Sequence, residues 1–349
     1  MTAPFTSRTI TGPAELLALE PQWWDLWRQS PTATPFQSPA WLLPWWKHFA
    51  PADACVVVVE LDKRLVGLAP FYGEQSRHGR CIRLMGFPLT DYQDFVIAPS
   101  LEKPTLAVLR SHLTDAGYWD SLELTELPPD AHALRMIAPG DSEESSAWAS
   151  ACPVLGLPDA IEELERTFPA RKRRALRMSR NRAERRGRVR ILSDHHFILG
   201  SFETLVELHE HRWVSRGEPG VLADCRVRQF HRDAVQALMK AGLLRFYLLQ
   251  IDGHAAAAYY GFCHRNQAYG YITGFDPVFA FESPGVILLG HAIAEATREG
   301  MHRFHFLRGQ EPYKYQWGAR DCWNKHRAFR RSSNSRNSDG RTDDLRTAN

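Results

Sequence analysis

The sequence has few cysteines and no long apolar run, and each shortage excludes a class of protein. Its six cysteines (Cys55, Cys81, Cys152, Cys225, Cys263 and Cys322) form no C-x-x-C pair. A zinc ribbon or a thioredoxin-like centre therefore lacks its ligands, and a disulfide framework is out of place in 349 residues. A reduced, cytoplasmic protein is expected. No apolar stretch approaches the ~20 residues of a membrane-spanning helix. The richest, residues 40–46 and 56–59, are short, and Pro44 interrupts the first. The start, MTAPFTSRTITGPAELL, has no basic segment followed by ~7–15 apolar residues, so no secretory signal is expected. His195, His196, His209, His211 and His231 fall into no H-E-x-x-H spacing, and neither G-x-S-x-G nor a P-loop occurs. Metal, serine-hydrolase and P-loop chemistry are not expected. Charge of one sign is also scarce: 43 basic residues against 40 acidic ones leave +3, too little for a global field toward nucleic acid or membranes.

What is present is an alternation of helical and strand patterns. At ~150 residues per domain the length suggests about two domains. Residues 13–29 read as a helix bearing Leu16, Leu17, Trp23, Trp24 and Trp27, with the tryptophans in the core. Ser38-Pro39 reads as a cap opening a second helix. A strand meander follows at 55–61, 65–72, 80–87 and 94–97, then a helix at 103–116 and a strand at 121–127. The second half opens with helices at 159–167, 170–186, 202–216 and 227–241. It continues with strands at 244–251, 255–263 and 267–274, a helix from Ser283 to Glu299 with Gly300 at its end, and a strand at 303–307. The order strand, tight turn, strand, strand, helix, strand thus occurs twice, with Asp62-Lys63 and Asp252-Gly253 at equivalent turns. We expect two similar but separate sheets. The units are residues 1–130, a linker at 131–158 carrying a strand or two, residues 159–329 and a disordered tail at 330–349.

The strongest local charge lies at residues 171–190, with eleven Lys or Arg and one acid, Glu184. Leu176 is nearly its only large aliphatic side chain, so this helix is expected to pack little and to bind an anion. That anion would be a polyanionic acceptor such as a nucleotide-linked sugar, tRNA or lipid headgroups, or the phosphates of a cofactor; the alternative is a solvated face paired with acids such as Glu162, Glu163 and Glu165. No aromatic platform is interleaved with the run, which disfavours nucleic acid.

Several motifs resemble one superfamily. They are Met85-Gly86 followed by Asp91-Tyr92-Gln93-Asp94, the basic helix, Trp213, Gly274-Phe275-Asp276-Pro277, Ser283-Pro284-Gly285 and Phe306-Leu307-Arg308-Gly309-Gln310-Glu311-Pro312-Tyr313-Lys314. Together, over about Trp23 to Gly318, they resemble the GNAT acyltransferases in tandem arrangement. The resemblance is to the CelD-like acetyltransferases of cellulose biosynthesis, related to the Fem-type peptidyl transferases. It implies an α/β fold of two GNAT-like domains, with mixed, mostly antiparallel sheets flanked by helices. It also implies an acyltransferase that moves an acyl group from acyl-CoA (acetyl-CoA) to an amine or hydroxyl of a small-molecule or saccharide acceptor, such as an envelope or exopolysaccharide precursor. The alternatives are a Fem-like enzyme using aminoacyl-tRNA and a non-catalytic scaffold of an exopolysaccharide system.

Site residues follow from chemistry and resemblance together. Ser283, Gly285 and Val286 open a helix whose free N–H groups suit a pyrophosphate, with Arg173, Arg174 and Arg177 as further cofactor contacts. Arg308, Tyr313 and Lys314 are expected to hold an anionic acceptor, with Glu311 as general base. Asp91 and Tyr92 are expected to help deprotonate the nucleophile, and Asp94 to bind it. His305 stands where the resembling proteins carry an acid.

Overall fold

The structure, a computed structural model, describes residues 4–49, 53–77, 79–193, 198–214 and 217–331. The first half comprises β1 (Phe5–Ile10), α1 (Pro13–Ala18), α2 (Glu20–Gln29), α3 (Pro39–Phe49), β2 (Asp53–Leu61), β3 (Arg64–Ser76) and β4 (Gly79–Leu84). It continues through β5 (Val96–Ile97), α4 (Glu102–Asp115), β6 (Ser121–Leu127) and β7 (Glu143–Gly156). The second half holds α5 (Ile161–Thr167), α6 (Ala170–Arg186), β8 (Val189–Leu192), α7 (Ile198–Val214), α8 (Cys225–Lys240), β9 (Leu244–Ile251) and β10 (His254–His264). It ends with β11 (Gln267–Phe275), α9 (Pro284–Arg298), β12 (Arg303–His305), α10 (Pro312–Tyr315) and β13 (Arg320–Arg330).

The repeat seen in the sequence is real, but the two sheets are one. A single 13-stranded sheet runs β1-β2-β3-β4-β6-β13-β7-β12-β11-β10-β9-β8, with β5 on β3. Inward from either end, four antiparallel strands lead through a helical crossover, α4 or α9, to a parallel partner: β4 with β6, and β11 with β12. Both equivalent turns have positive φ at both central residues: Asp62 and Lys63 in one, Asp252 and Gly253 in the other. That conformation matches the twist of the strands it joins. The expectation of two sheets fails at the centre. There β7 pairs with β12 of the second half, β13 pairs with β6 of the first, and the two cross antiparallel with Cys152 opposite Cys322. Each half lends its last strand to the other. The segment read as a linker, 131–158, therefore carries a central strand. Of the expected tail, Arg330 ends β13, and residues 332–349 lie outside the described residues.

The predicted helix 13–29 is two helices, α1 and α2, divided at Leu19 because Pro21 in the first turn of α2 has no N–H to continue the ladder. Trp23, Trp27, Trp41 and Trp45 are buried. The ring of Trp41 meets that of Phe230 edge to face at 4.8 Å, so one core joins the halves. A second core lies under α5, α6 and α9. None of the six cysteines is in a disulfide among the described residues.

Gly274 shows how closely α7 lies on β11: a Cβ there would stand 2.7 Å from the His209 nitrogen and 2.9 Å from the Leu208 carbonyl carbon. These are backbone atoms and yield little. Gly274→Ala is expected to destabilise the protein by about 1–3 kcal/mol, measured as a lower midpoint in urea unfolding.

Candidate active site

Two cavities meet on the second half. The outer one, about 310 Å³, opens in front of α9 and is lined by Ser283, Pro284, Gly285 and Val286. Strands β10 and β11 contribute Ala257, Ala258, Thr273 and Phe275, and the far wall holds Lys172, Arg212, Tyr313 and Trp317. Ser283 caps α9 in the left-handed region (φ 53), and its hydroxyl makes no capping bond to the helix. Pro284 has no N–H, and the Val286 N–H turns back to the Ser283 carbonyl at 2.9 Å. The N–H of Gly285 therefore has no intrahelical acceptor and stands at the positive end of a 15-residue helix. A Cβ on Gly285 would meet only Phe275, at 3.9 Å, so the space over it is open.

The basic helix supports this site differently from the sequence expectation. Arg173, Arg174 and Arg177 are exposed and line neither cavity. The inward face is instead Lys172, Leu176, Ser179 and Ala183, a stripe with spacings of four and three that packs on α9, with Leu176 against Gly290. The helix therefore packs well, because small residues let the backbones approach. Lys172, not singled out in the sequence, reaches the outer cavity with its ammonium 4.2 Å over the Trp317 ring. Burial pulls its pKa down to about 8. Farther along α6, Arg186 donates to the Val278 carbonyl (3.0 Å) and to buried Glu282 (3.0 Å), and Arg182 to the Phe281 carbonyl (3.2 Å). These bonds fix the loop that presents Ser283.

The inner cavity, about 110 Å³, shares Thr273, Leu289 and Tyr313 with the outer one. It exists because β11 and β12 pair only from Gln267–Arg303 to Tyr269–His305 and then part. Gly270, Tyr271 and Thr273 line one side, and Phe304, Phe306, Leu307 and Arg308 the other. Its polar groups come from both halves: Asp91 from the first, Arg308, Glu311 and Lys314 from the second. The Arg308 guanidinium is ion-paired with Asp91, lies 3.8 Å from Glu126 and donates to the Pro88 carbonyl at 2.6 Å. Asn324 of β13 donates to the Asp91 carbonyl and to Glu126, each at 2.9 Å. Burial raises the Asp91 carboxyl above its ordinary range, while Arg308 and Lys314 oppose the shift. Tyr313, which touches both cavities, is pushed up to about 12 by burial.

Lys314 does not present a free ammonium to an acceptor. It is buried, donates to the carbonyls of Leu307 (3.1 Å), Arg308 (2.6 Å) and Gly309 (3.1 Å), and lies 2.9 Å from Glu311. Three carbonyls converge on it because Leu307 (φ 59) and Gly309 (φ 104) turn the chain sharply. Lys314 organises the loop from within.

Two further expected residues stay away from the cavities. Tyr92 is buried beneath the site, its hydroxyl donating to His305 Nδ1 at 2.9 Å, while His305 Nε2 donates to Gln267 at 2.6 Å. Burial holds the His305 pKa near 3, so the ring is neutral. Alternation along the strand turns Phe304 and Phe306 toward the cavity and His305 away. Its replacement of an acid therefore removes no carboxylate from the cavity wall. Asp94 is buried as well. It accepts from the N–H groups of Phe95 (2.8 Å), His132 (2.8 Å) and Ala133 (2.9 Å), and burial raises it to about 7. It ties down the turn after β6 rather than a substrate. No group of His, Cys, Asp and Glu suited to a metal occurs among the described residues, and no described helix is long and apolar enough to cross a membrane.

Residues 170–315, which supply most of the lining of both cavities, match the family model described as an Acetyltransferase (GNAT) domain. No curated protein matches the sequence. Among solved structures, FemX is similar over 92% of this chain and 96% of its own, with a TM-score of 0.66 at 12% identity. A conserved protein of unknown function from Bacteroides thetaiotaomicron VPI-5482 is similar over 94% and 100%, with a TM-score of 0.59 at 14% identity. The C-terminal domain of a putative lysylphosphatidylglycerol synthetase from Agrobacterium fabrum is similar over 91% and 92%, with a TM-score of 0.51 at 10% identity. The chain is thus an α/β protein of tandem GNAT-like fold, and residues 170–315 of its second half are similar to the GNAT acetyltransferase family model. These likenesses are of fold, and the CelD-like type is not among them.

Proposed function

We propose that the protein is an acyltransferase that moves an acyl group from acyl-CoA to an amine or hydroxyl of a small-molecule or saccharide acceptor, as in the CelD-like type. The observation that carries this reading is the outer cavity at the start of α9, joined through Thr273, Leu289 and Tyr313 to a second cavity holding two carboxylates. When bound, acyl-CoA supplies a thioester carbonyl that the acceptor attacks, the CoA thiol leaving. The Gly285 N–H and the Lys172 ammonium hold its pyrophosphate, and Ala257, Ala258 and Leu289 line a dry path inward. Asp91 takes the proton of the attacking amine or hydroxyl. Its burial raises its affinity for that proton, and among the described residues no hydrogen bond engages its Oδ2. Glu311, assigned that role from sequence, instead anchors Lys314.

The first half does not repeat the donor site. At the equivalent helix, α4, the first turn carries an acid, Glu102, and Pro104, which has no N–H. Thermal unfolding with and without CoA tests the reading. Saturation at ~100 Kd stabilises a binder by about 2.7 kcal/mol. A non-catalytic scaffold would show no shift with CoA, acetyl-CoA or ADP.

A pH dependence follows from Lys172. Its ammonium is charged below about 8 and neutral above, and a bound phosphate favours the charged form. CoA affinity, measured by titration calorimetry, is expected to hold below that pH and to fall as the pH rises through it. In Lys172→Met the affinity should be lower throughout and the fall should vanish.

A further inference from the structure

The outward face of α6 lines neither cavity of the site just described, and its composition points elsewhere. Arg171, Arg174, Met178, Arg182 and Arg185 recur at spacings of three and four, so they form one stripe along the helix, opposite the stripe buried against α9. Among the described residues, Arg186 is the one α6 arginine ion-paired with a carboxylate. The others keep their charge uncompensated on a protein whose net charge is only +3. Beside the stripe lies the loop between β11 and α9, where Val278 is 66% and Phe281 67% exposed, while Met178 of the stripe itself is 40% exposed. Arg182 binds the two together: its guanidinium sits 4.4 Å over the Phe281 ring while donating to the Phe281 carbonyl.

We propose that this face docks the protein on an anionic lipid bilayer, the arginines meeting headgroup phosphates while Val278, Phe281 and Met178 enter the interface. Charge complementarity selects an anionic partner, and the exposed apolar tips select a lipid one. Leaving large apolar side chains in water is unfavourable, and an aromatic or aliphatic tip framed by cations is the pattern that partitions into headgroups. Nucleic acid fits less well. Two of the three apolar tips are aliphatic and offer no stacking face, and one face of Phe281 is already covered by Arg182. The docking loop also lines the outer cavity through Ala280 and Ser283, so docking places the cavity mouth close to the bilayer. The inference does not depend on which acyl donor or acceptor the enzyme uses.

The test is cosedimentation of the full chain with vesicles of phosphatidylcholine alone and with about one third phosphatidylglycerol. Two variants accompany it, both at exposed positions where substitution costs little stability, with folding verified by thermal melts: Arg171→Gln/Arg174→Gln/Arg185→Gln, and Val278→Ser/Phe281→Ser. Each arginine near a charged bilayer contributes about fivefold to partitioning. The proposal expects binding to the anionic vesicles only, weakened about a hundredfold in the arginine variant and at least tenfold in the Val278/Phe281 variant. Three results would overturn it: no binding above the phosphatidylcholine background, binding insensitive to both variants, or binding that the serine variant leaves intact while tRNA competes it away. The last would make the face a nucleic-acid surface.

Discussion

Gly285→Asp is expected to leave the protein folded and to weaken CoA binding by at least about a hundredfold. The position accepts a side chain: a Cβ meets nothing nearer than Phe275 at 3.9 Å, and Gly285 is not among the residues with positive φ. An acid in the first turn complements the helix dipole, so the melting temperature of the free protein should hold or rise slightly. The same carboxylate would occupy the place of the pyrophosphate and repel it. Losing a charge-assisted hydrogen bond costs about 1.5–3 kcal/mol, roughly ten- to a hundredfold, and repulsion adds to that. Titration calorimetry gives the affinity and calorimetric melting gives the stability. A variant that binds CoA like the unaltered protein would remove the start of α9 from the donor site.

The second large effect separates the two carboxylates of the inner cavity. Asp91→Asn keeps an oxygen for Arg308 but cannot accept a proton, so kcat is expected to fall by ~10²–10⁴ with acyl-CoA affinity unchanged. The loss should come with a flattened acid limb of the pH–rate profile. A general base works only when deprotonated, so activity in the unaltered enzyme rises with pH through the Asp91 pKa. Glu311→Gln keeps the shape of the loop and weakens its grip on Lys314, which stays held by three carbonyls. It is expected to lower kcat by less than about tenfold. If Glu311→Gln is the inactive variant and Asp91→Asn turns over normally, the roles assigned here are reversed.

Much of this was legible in the sequence, for physical reasons. The repeated order of elements follows from hydrophobic periodicity and from two turns that need positive φ, which are local properties. The Ser283–Val286 segment is legible as a helix start, and the Arg308–Lys314 segment as a loop that directly follows a strand. The exchange of β7 and β13 was not legible. Which strand a strand pairs with is set by tertiary packing, and the pattern of β13 is blurred by its charges, as in Arg320, Asp321, Lys325 and Arg327. That exchange brings Asn324 to Asp91 and Glu126, so the joining of Asp91 with Arg308, 217 residues apart, was equally hidden. Tyr92 and Asp94 looked like partners of Asp91 because they are neighbours in sequence, yet each of the three has its own anchor, and only Asp91 reaches a cavity. Lys172 left a signal that went unused. In a helix of arginines, Lys172, Leu176, Ser179 and Ala183 form the one stripe able to pack, and a lysine heading that stripe has to point inward.

The position of bound CoA tests the central claim most directly. In a crystal structure of the full chain with CoA, the account predicts one molecule per chain. Its pyrophosphate should lie within hydrogen-bond distance of the Gly285 N–H and beside Lys172, with its thiol directed past Thr273 toward the cavity of Asp91 and Arg308. CoA bound at the α4 end of the first half, or with its thiol directed away from Asp91, would contradict it.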